Sequence, residues 1–212
     1  MKLLKLKALG LGAGLFVAVY VPAFMAAALV RPRIELAIAL IIAITLSVAM
    51  LLIFLLGRGR GGAEFGFRIP RSRYVGIALV SGLTLGLVAA FLNHLLPSKP
   101  PFDISGFAPW KIGLYFIVGA SIQEEVIFRG LIQSMVEKRW ALIFSVCGVS
   151  ISGAVAFTAV LFAVVHLEVG AVVALGAVIL GLVAGELRRR SGSLLPAIIV
   201  HALFNCADAV LY

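Results

Sequence analysis

The chain has 212 residues, of which 63% are hydrophobic and 13% are charged, and its formal net charge is +9. Soluble domains carry about 25% charged residues, so this composition excludes an ordinary soluble fold. The basic residues stand at the ends of apolar runs, where anionic lipid headgroups explain them, and the charge therefore does not indicate nucleic-acid binding.

The apolar residues come in runs long enough to cross a membrane, which requires about 18 residues or more. Four runs are nearly free of charge, at residues 8–30, 34–56, 74–96 and 171–187. Three more are interrupted by polar residues, at 112–136, 141–166 and 197–212. The sequence therefore predicts an all-α polytopic transmembrane helical bundle of about seven to eight membrane helices.

The first run has a second interpretation as a cleaved signal peptide, because Lys2, Lys5 and Lys7 precede it and small residues 26–28 end it. Its length exceeds the ~7–15 apolar residues of a signal peptide, and a second span follows at once, so an uncleaved hairpin is favoured. We predict that residues 1–73 form an N-terminal scaffold hairpin with its loop, and that residues 74–212 form a catalytic bundle.

The distribution of Lys and Arg predicts the orientation, since loops that stay in the cytoplasm are enriched in them. Most of the 18 basic residues fall in inner loops if the N-terminus is inside. We expect an N-terminus in the cytoplasm and a prokaryotic inner membrane. Cys147 and Cys206 lie within apolar runs, so neither a disulfide framework nor a metal site is indicated.

The fourth run in chain order, residues 112–136, contains three charged residues, Glu124, Glu125 and Arg129. A charge inside a bilayer costs at least ~2.5–3.5 kcal/mol and marks a functional site unless it is paired. Glu125 and Arg129 are four residues apart and share a helix face, which predicts an ion pair. Glu124 lies about 100° around the helix and has no such partner, so its burial and neighbours can tune it as a general base.

The later runs add His166, His201 and Asn205. His201 and Asn205 are four apart and share a face, and although one such residue could be an interhelical hydrogen bond, two at this spacing indicate a site. A carboxylate with an imidazole can deprotonate water, and His with Asn can donate hydrogen bonds to an oxyanion. A metal site with Glu and His ligands is the alternative, which is weaker because the HExxH motif is absent.

These residues form three motifs that resemble the CAAX prenyl protease and bacteriocin-processing (CPBP or Abi) family, in its type II CAAX protease-like branch. The motifs are Glu-Glu-Val-Ile-Phe-Arg-Gly at 124–130, Phe-Ala-Val-Val-His at 162–166 and His-Ala-Leu-Phe-Asn at 201–205, and Ser-Gly-Ser-Leu-Leu-Pro at 191–196 is similar too. The resemblance covers about residues 112–205. It implies an intramembrane endopeptidase with a bundle of roughly eight helices.

The resemblance also implies roles for single residues. Glu124 with His166 would activate water, His201 with Asn205 would form the oxyanion hole, and Glu125 with Arg129 would support the site. No cofactor is implied, and a divalent metal stays the weaker alternative.

One feature of the run at 141–166 conflicts with a shared site. As one helix it would be ~39 Å long, more than a ~30 Å membrane core requires, and it would place His166 at the opposite side from His201. Residues 145–153 contain two Gly and three Ser. We therefore expect a break near residues 148–153, or tilted helices, that brings His166 to the depth of Glu124.

The first functional hypothesis is hydrolysis of a peptide bond in a membrane-associated peptide or protein tail. A non-catalytic membrane scaffold or bacteriocin self-immunity protein with the same fold is the second. A proton-coupled transporter using Glu124 and the histidines as a relay is the third. The expected partners are membrane lipids and a peptide or protein-tail substrate, without nucleic acid, and the sequence leaves the oligomeric state open.

Overall fold

The computed structural model describes residues 2–30, 33–57, 62–96, 106–140, 142–146 and 149–211. Within these ranges the chain folds into seven helices and one short β-hairpin. The first helices are α1 (Lys2–Leu29), α2 (Ile34–Gly57) and α3 (Ser72–Leu95), with a 3₁₀ turn at Gly62–Phe65 between α2 and α3.

Residues 109–137 form one continuous helical segment, called the central helix below. It alternates α and π turns in the order α4 (Pro109–Ile112), π1 (Gly113–Gly119), α5 (Ala120–Glu125), π2 (Val126–Gln133) and α6 (Ser134–Glu137). The first residue of each following segment has right-handed helical dihedral angles, so the backbone is not broken between them. The remaining elements are β1 (Ile143–Val146), β2 (Val149–Ser152), α7 (Gly153–Val164), α8 (Ala171–Ser191) and α9 (Leu195–Leu211).

The prediction of an all-α transmembrane bundle is confirmed. In the part of the chain that the structure describes, four helices are long and apolar enough to span a membrane: Lys5–Leu29, Ile34–Gly57, Ser72–Leu95 and Ala171–Ser191. Two shorter apolar helices, Gly153–Val164 and Leu195–Ala207, add to them. The bundle packs α1 on α2, α3 on α9 and α7 on α8, with the central helix contacting α1, α2, α7, α8 and α9.

The interpretation of residues 141–166 as one membrane run is wrong. Strands β1 and β2 pair antiparallel from Ile143 opposite Ser152 to Val146 opposite Val149, and only the part from Gly153 onward is helical. β-branched and aromatic residues favour strands, and Ser152 caps α7 by accepting a hydrogen bond from the Ala154 N–H at 3.2 Å. The predicted break is therefore present, and Cys147 and Gly148 lie outside the described residues.

This break changes the depth of His166. The hairpin lies against the end of α8, where the Ser152 N–H donates to Glu186 at 3.0 Å and Arg190 donates to the Ser150 carbonyl at 3.1 Å. Because α7 begins at that end and has 12 residues, it rises only ~18 Å, which is less than the ~30 Å core. His166 therefore lies part of the way along the bundle, as His201 does, six residues into α9.

Helices α3 and α9 approach closely along a row of small residues. The buried face of α3 consists of Ala78, Gly82, Gly86 and Ala90, spaced four apart. A Cβ atom on Gly82 would lie 2.9 Å from the Val200 carbonyl oxygen, and one on Gly86 would lie 3.0 Å from Phe204 Cα. Because lipid is as apolar as the helix surface, the hydrophobic effect does not drive helices together in a membrane. Close van der Waals contact along rows of small residues stabilises the pair instead.

One end of the bundle collects basic residues and holds the loop before α3 in place. Arg188 donates to the Glu64 carbonyl at 3.0 Å, and Lys138 forms an ion pair with the Glu64 carboxylate at 3.0 Å. Gly192, at φ +70°, ends α8, and its carbonyl accepts a hydrogen bond from Arg68. The predicted position of this end in the cytoplasm stays a prediction.

Candidate active site

The acidic pair of the central helix lies where α5 passes into π2. Glu124 and Glu125 are the last residues of α5, and all eight residues of π2 are buried. A π turn rotates the following residues relative to a pure α-helix, and such turns occur frequently at functional sites. The change from α to π turns thus directs the side chains after Glu125 into the interior of the bundle.

The predicted ion pair between Glu125 and Arg129 is present. Arg129 Nη1 lies 3.0 Å from Glu125 Oε1, and both side chains are fully buried, at 0% exposure. The guanidinium also lies 4.7 Å from the ring centroid of Phe162, a cation–π contact. A Cβ atom on Gly181 would approach Arg129 Nη2 to 3.3 Å, so the glycine makes room for the guanidinium.

His201 connects the two glutamates, which the sequence did not predict. Its Nδ1 lies 2.9 Å from Glu125 Oε1, and its Nε2 lies 3.6 Å from Glu124 Oε2. The side chains of His201 and Glu124 are 3% and 18% exposed. Glu125 is therefore not occupied by Arg129 alone, since its Oε1 lies between the guanidinium and the imidazole. Glu125 and His201 are 76 residues apart in sequence, and only the packing of α9 on the central helix joins them.

His166 lies just beyond the end of α7. Its Nδ1 is 2.8 Å from the Phe162 carbonyl oxygen, one turn earlier. Because a carbonyl only accepts, Nδ1 carries the proton, and in the neutral imidazole Nε2 is then the acceptor. The tautomer is thus inferred from the Phe162 carbonyl, and it leaves Nε2 of His166 as the nitrogen that can accept a hydrogen bond.

Phe162 connects His166 to the rest of the site through ring contacts. Its centroid is 4.6 Å from that of His166 and 5.5 Å from that of His201, and both contacts are edge-to-face. The separation of the two imidazoles therefore cannot exceed the sum of these distances. The described structure brings both histidines to one aromatic side chain, as a shared site requires.

Asn205 joins α9 to the central helix one turn after His201. Its Nδ2 donates to the Phe116 carbonyl at 2.9 Å and, at a longer 3.4 Å, to Ser121 Oγ. Phe116 belongs to π1, where the hydrogen-bond pattern of the backbone differs from that of an α-helix. The role of Asn205 at an oxyanion stays a prediction. In that role the amide would have to release one of these two contacts, and the contact with Ser121 is the weaker one.

Three further residues lie at this site although the sequence analysis gave them no role of their own. Phe162 precedes His166 by four residues, and Ser121 precedes Glu125 by four, so helix periodicity could have indicated both. Gly181 offers no such signal, because its proximity to Arg129 depends on the packing of α8.

The donor set does not fit a metal ion. Among the described residues no group of three or more His, Cys, Asp or Glu side chains has a metal-binding arrangement. Glu125 Oε1 already contacts two other groups, Arg129 Nη1 at 3.0 Å and His201 Nδ1 at 2.9 Å. The absence of a cofactor stays a prediction.

The comparisons with known proteins agree with the three motifs. The model of the type II CAAX prenyl endopeptidase Rce1-like family matches residues 106–207, which include the central helix and α7, α8 and most of α9. No curated protein and no solved structure shows significant similarity to the chain. The chain is thus an integral membrane protein whose residues 106–207 are similar to the type II CAAX prenyl endopeptidase Rce1-like family.

Proposed function

We propose that this protein is an intramembrane endopeptidase that hydrolyses a peptide bond in a membrane-associated peptide or protein tail. The observation that carries the proposal is the position of His201 between the carboxylates of Glu124 and Glu125, in a chain whose residues 106–207 are similar to a family of membrane peptidases. A half-buried carboxylate beside a buried imidazole, which lies between two carboxylates, supplies the groups that a hydrolase requires.

The first step is the activation of water by Glu124 and His166. Glu124 is the more exposed of the two carboxylates, at 18% against 0% for Glu125. A water molecule donates one hydrogen to the Glu124 carboxylate and the other to His166 Nε2, the ring nitrogen that the Phe162 carbonyl leaves as an acceptor. Glu124 takes the first proton as the water oxygen attacks the carbonyl carbon of the substrate.

The second part is the stabilisation of the oxyanion by His201 and Asn205. When both ring nitrogens of His201 are protonated, Nδ1–H donates to Glu125 and Nε2–H is available to the oxyanion. The 3.6 Å between His201 Nε2 and Glu124 leaves that hydrogen without a tight acceptor. Asn205 contributes the amide hydrogen that now makes the long contact to Ser121.

Before the proton is transferred to Glu124, the cluster has no net charge if His201 is protonated. Arg129 and a protonated His201 carry two positive charges, and Glu124 and Glu125 carry two negative ones. Buried charges are tolerated when they are paired, so this assignment suits an intramembrane site. When the tetrahedral intermediate collapses, the C–N bond breaks and the proton on Glu124 moves to the leaving amine, which regenerates the carboxylate.

The experiment compares variants of purified protein in liposomes with two synthetic peptides, a prenylated CAAX peptide and an unprenylated peptide with an apolar tail. We expect Glu124→Gln and His166→Ala each to lower cleavage about 10³-fold, within the range for general acid–base catalysis. Glu168→Gln and His94→Ala change the same side-chain types at exposed positions and should leave cleavage unchanged. Full activity of Glu124→Gln on both peptides would contradict the role of Glu124 as the base. The absence of cleavage by the wild-type protein would instead favour the non-catalytic scaffold.

A further inference from the structure

The candidate for a further site residue is Tyr20, which lies in α1 and outside the residues that match the family model. Helix α1 runs antiparallel to the central helix: Gly12 is next to Ile132 and Val136, whereas Tyr20 is next to Phe128. The eight residues from Gly12 to Tyr20 rise about 12 Å. Tyr20 therefore reaches the level of the central helix at which the acidic pair begins.

The ring of Tyr20 is fixed by aromatic neighbours. Its centroid is 6.0 Å from that of Phe128, 4.9 Å from that of Phe16 and 5.7 Å from that of Phe24. Phe128 follows Glu124 by four residues, so a ring against Phe128 lies one helical turn from Glu124 on the same side. The phenol is thus held rigidly beside the face that carries the proposed base.

The hydroxyl of Tyr20 is buried and makes no well-formed hydrogen bond within the described residues. The residue is 5% exposed, and Gln123 is the side chain within reach as a loose hydrogen-bond partner. Buried hydroxyl groups in proteins are nearly always partnered, so an orphan at a candidate active site requires an explanation. The other polar side chains that interact with it also belong to the central helix, and they are Glu124 and Arg129.

We propose that Tyr20 is a positioning residue whose O–H donates a hydrogen bond to the Glu124 carboxylate when the site works. This inference rests on the proposed function, in which Glu124 is the base. Glu124 Oε2 lies 3.6 Å from His201 Nε2 in α9, whereas Tyr20 belongs to α1, which packs on the central helix along π2 and α6. The hydrogen bond keeps the carboxylate charged in apolar surroundings and orients it toward the water.

Several other groups act on Glu124, and a measured effect of Tyr20 must be separated from theirs. His201 approaches from α9, Glu125 and Arg129 lie on the central helix, and His166 follows α7. The nearest ionisable residue described in α2 is Glu35, which is paired with Lys111 at the far end of the helix. Removing only the Tyr20 hydroxyl leaves all of these in place.

The test is a pH titration of the Glu124 carboxyl by difference infrared spectroscopy in liposomes, with the C=O band assigned by its loss in Glu124→Gln. Tyr20→Phe should raise the midpoint by about one to two pH units, because a hydrogen bond to the charged form is lost. The stronger donor 3-fluorotyrosine at position 20 should lower it. The acid limb of kcat/KM should move in the same direction, with KM unchanged.

The controls separate the hydroxyl from packing and from the proposed function. Tyr74→Phe removes a hydroxyl at the end of α3 that accepts from Arg73, and it should leave the midpoint in place. Phe16→Leu disturbs the ring cluster but keeps the hydroxyl, and it should lower stability without moving the midpoint. An unmoved midpoint in both position-20 variants would overturn the proposal. The infrared titration needs no turnover, so it decides on Tyr20 even if no peptide is cleaved.

Discussion

Helix α3 and the central helix are organised in opposite ways. Helix α3 directs its large apolar residues outward, Val80, Leu83, Leu87 and Phe91 among them, and buries small ones. The central helix buries Arg129, Gln133 and Glu125 and is covered on all sides along π2. In lipid the exposure of large apolar residues costs nothing, whereas each buried charge requires a partner. Helix α3 therefore contributes close packing to the bundle, whereas the central helix contributes the buried polar side chains of the candidate site.

The largest effect in this comparison should come from the buried ion pair. Arg129→Met leaves Glu125 buried without its cation and should cost about 3–5 kcal/mol of unfolding free energy. Lys111→Met breaks the exposed pair with Glu35 and should cost no more than about 1 kcal/mol. Unfolding in mixed micelles with a graded denaturing detergent measures both. Equal losses of unfolding free energy in the two variants would contradict the view that the buried ion pair matters more for stability than the pair of Lys111 and Glu35.

The second effect concerns the small-residue face of α3. Gly82→Leu places a side chain against the Val200 backbone, where a Cβ atom already has too little room. We expect a loss of about 1–3 kcal/mol, the usual cost of overpacking. Leu83→Ile, one residue along on the exposed face, should change stability by less than about 0.5 kcal/mol. The same unfolding assay checks both, and a silent Gly82→Leu would contradict the described packing of α3 on α9.

The smallest effect on stability should come from the link between α9 and the central helix. Asn205→Ala removes the hydrogen bond to Phe116 and should cost about 0.6–1.7 kcal/mol, as interhelical hydrogen bonds in membranes do. In the peptide assay it should also lower kcat about 10²-fold through the lost oxyanion donor. Ser121→Ala removes only the longer contact and should change kcat by a few-fold at most. A normal kcat in Asn205→Ala would show that Asn205 only links α9 to the central helix.

Local features of the fold and the site could be predicted from the sequence. The membrane runs depend only on composition, and the Glu125 to Arg129 pair depends only on helix periodicity. Both are confirmed. The identities of Glu124, His166, His201 and Asn205 as site residues also came from the sequence, and their roles stay predictions.

The features that could not be predicted depend on tertiary packing. The contact of His201 with Glu125 joins residues 76 positions apart, and no local pattern signals it. The hairpin at Ile143–Ser152 has the composition of a buried helix segment, which hydropathy cannot distinguish from paired strands. The contact of Tyr20 with Phe128, one turn after Glu124, follows from the register of α1, which only the packed bundle shows.

The central claim is that Glu124 activates water for peptide-bond hydrolysis, and isotope labelling tests it most directly. The prenylated and the unprenylated peptide are each incubated with wild-type protein and with Glu124→Gln in H₂¹⁸O, and the products are weighed by mass spectrometry after a single turnover. We predict one ¹⁸O atom in the new carboxylate of the wild-type product and no product from Glu124→Gln. Labelled product formed by Glu124→Gln at the wild-type rate would contradict the account.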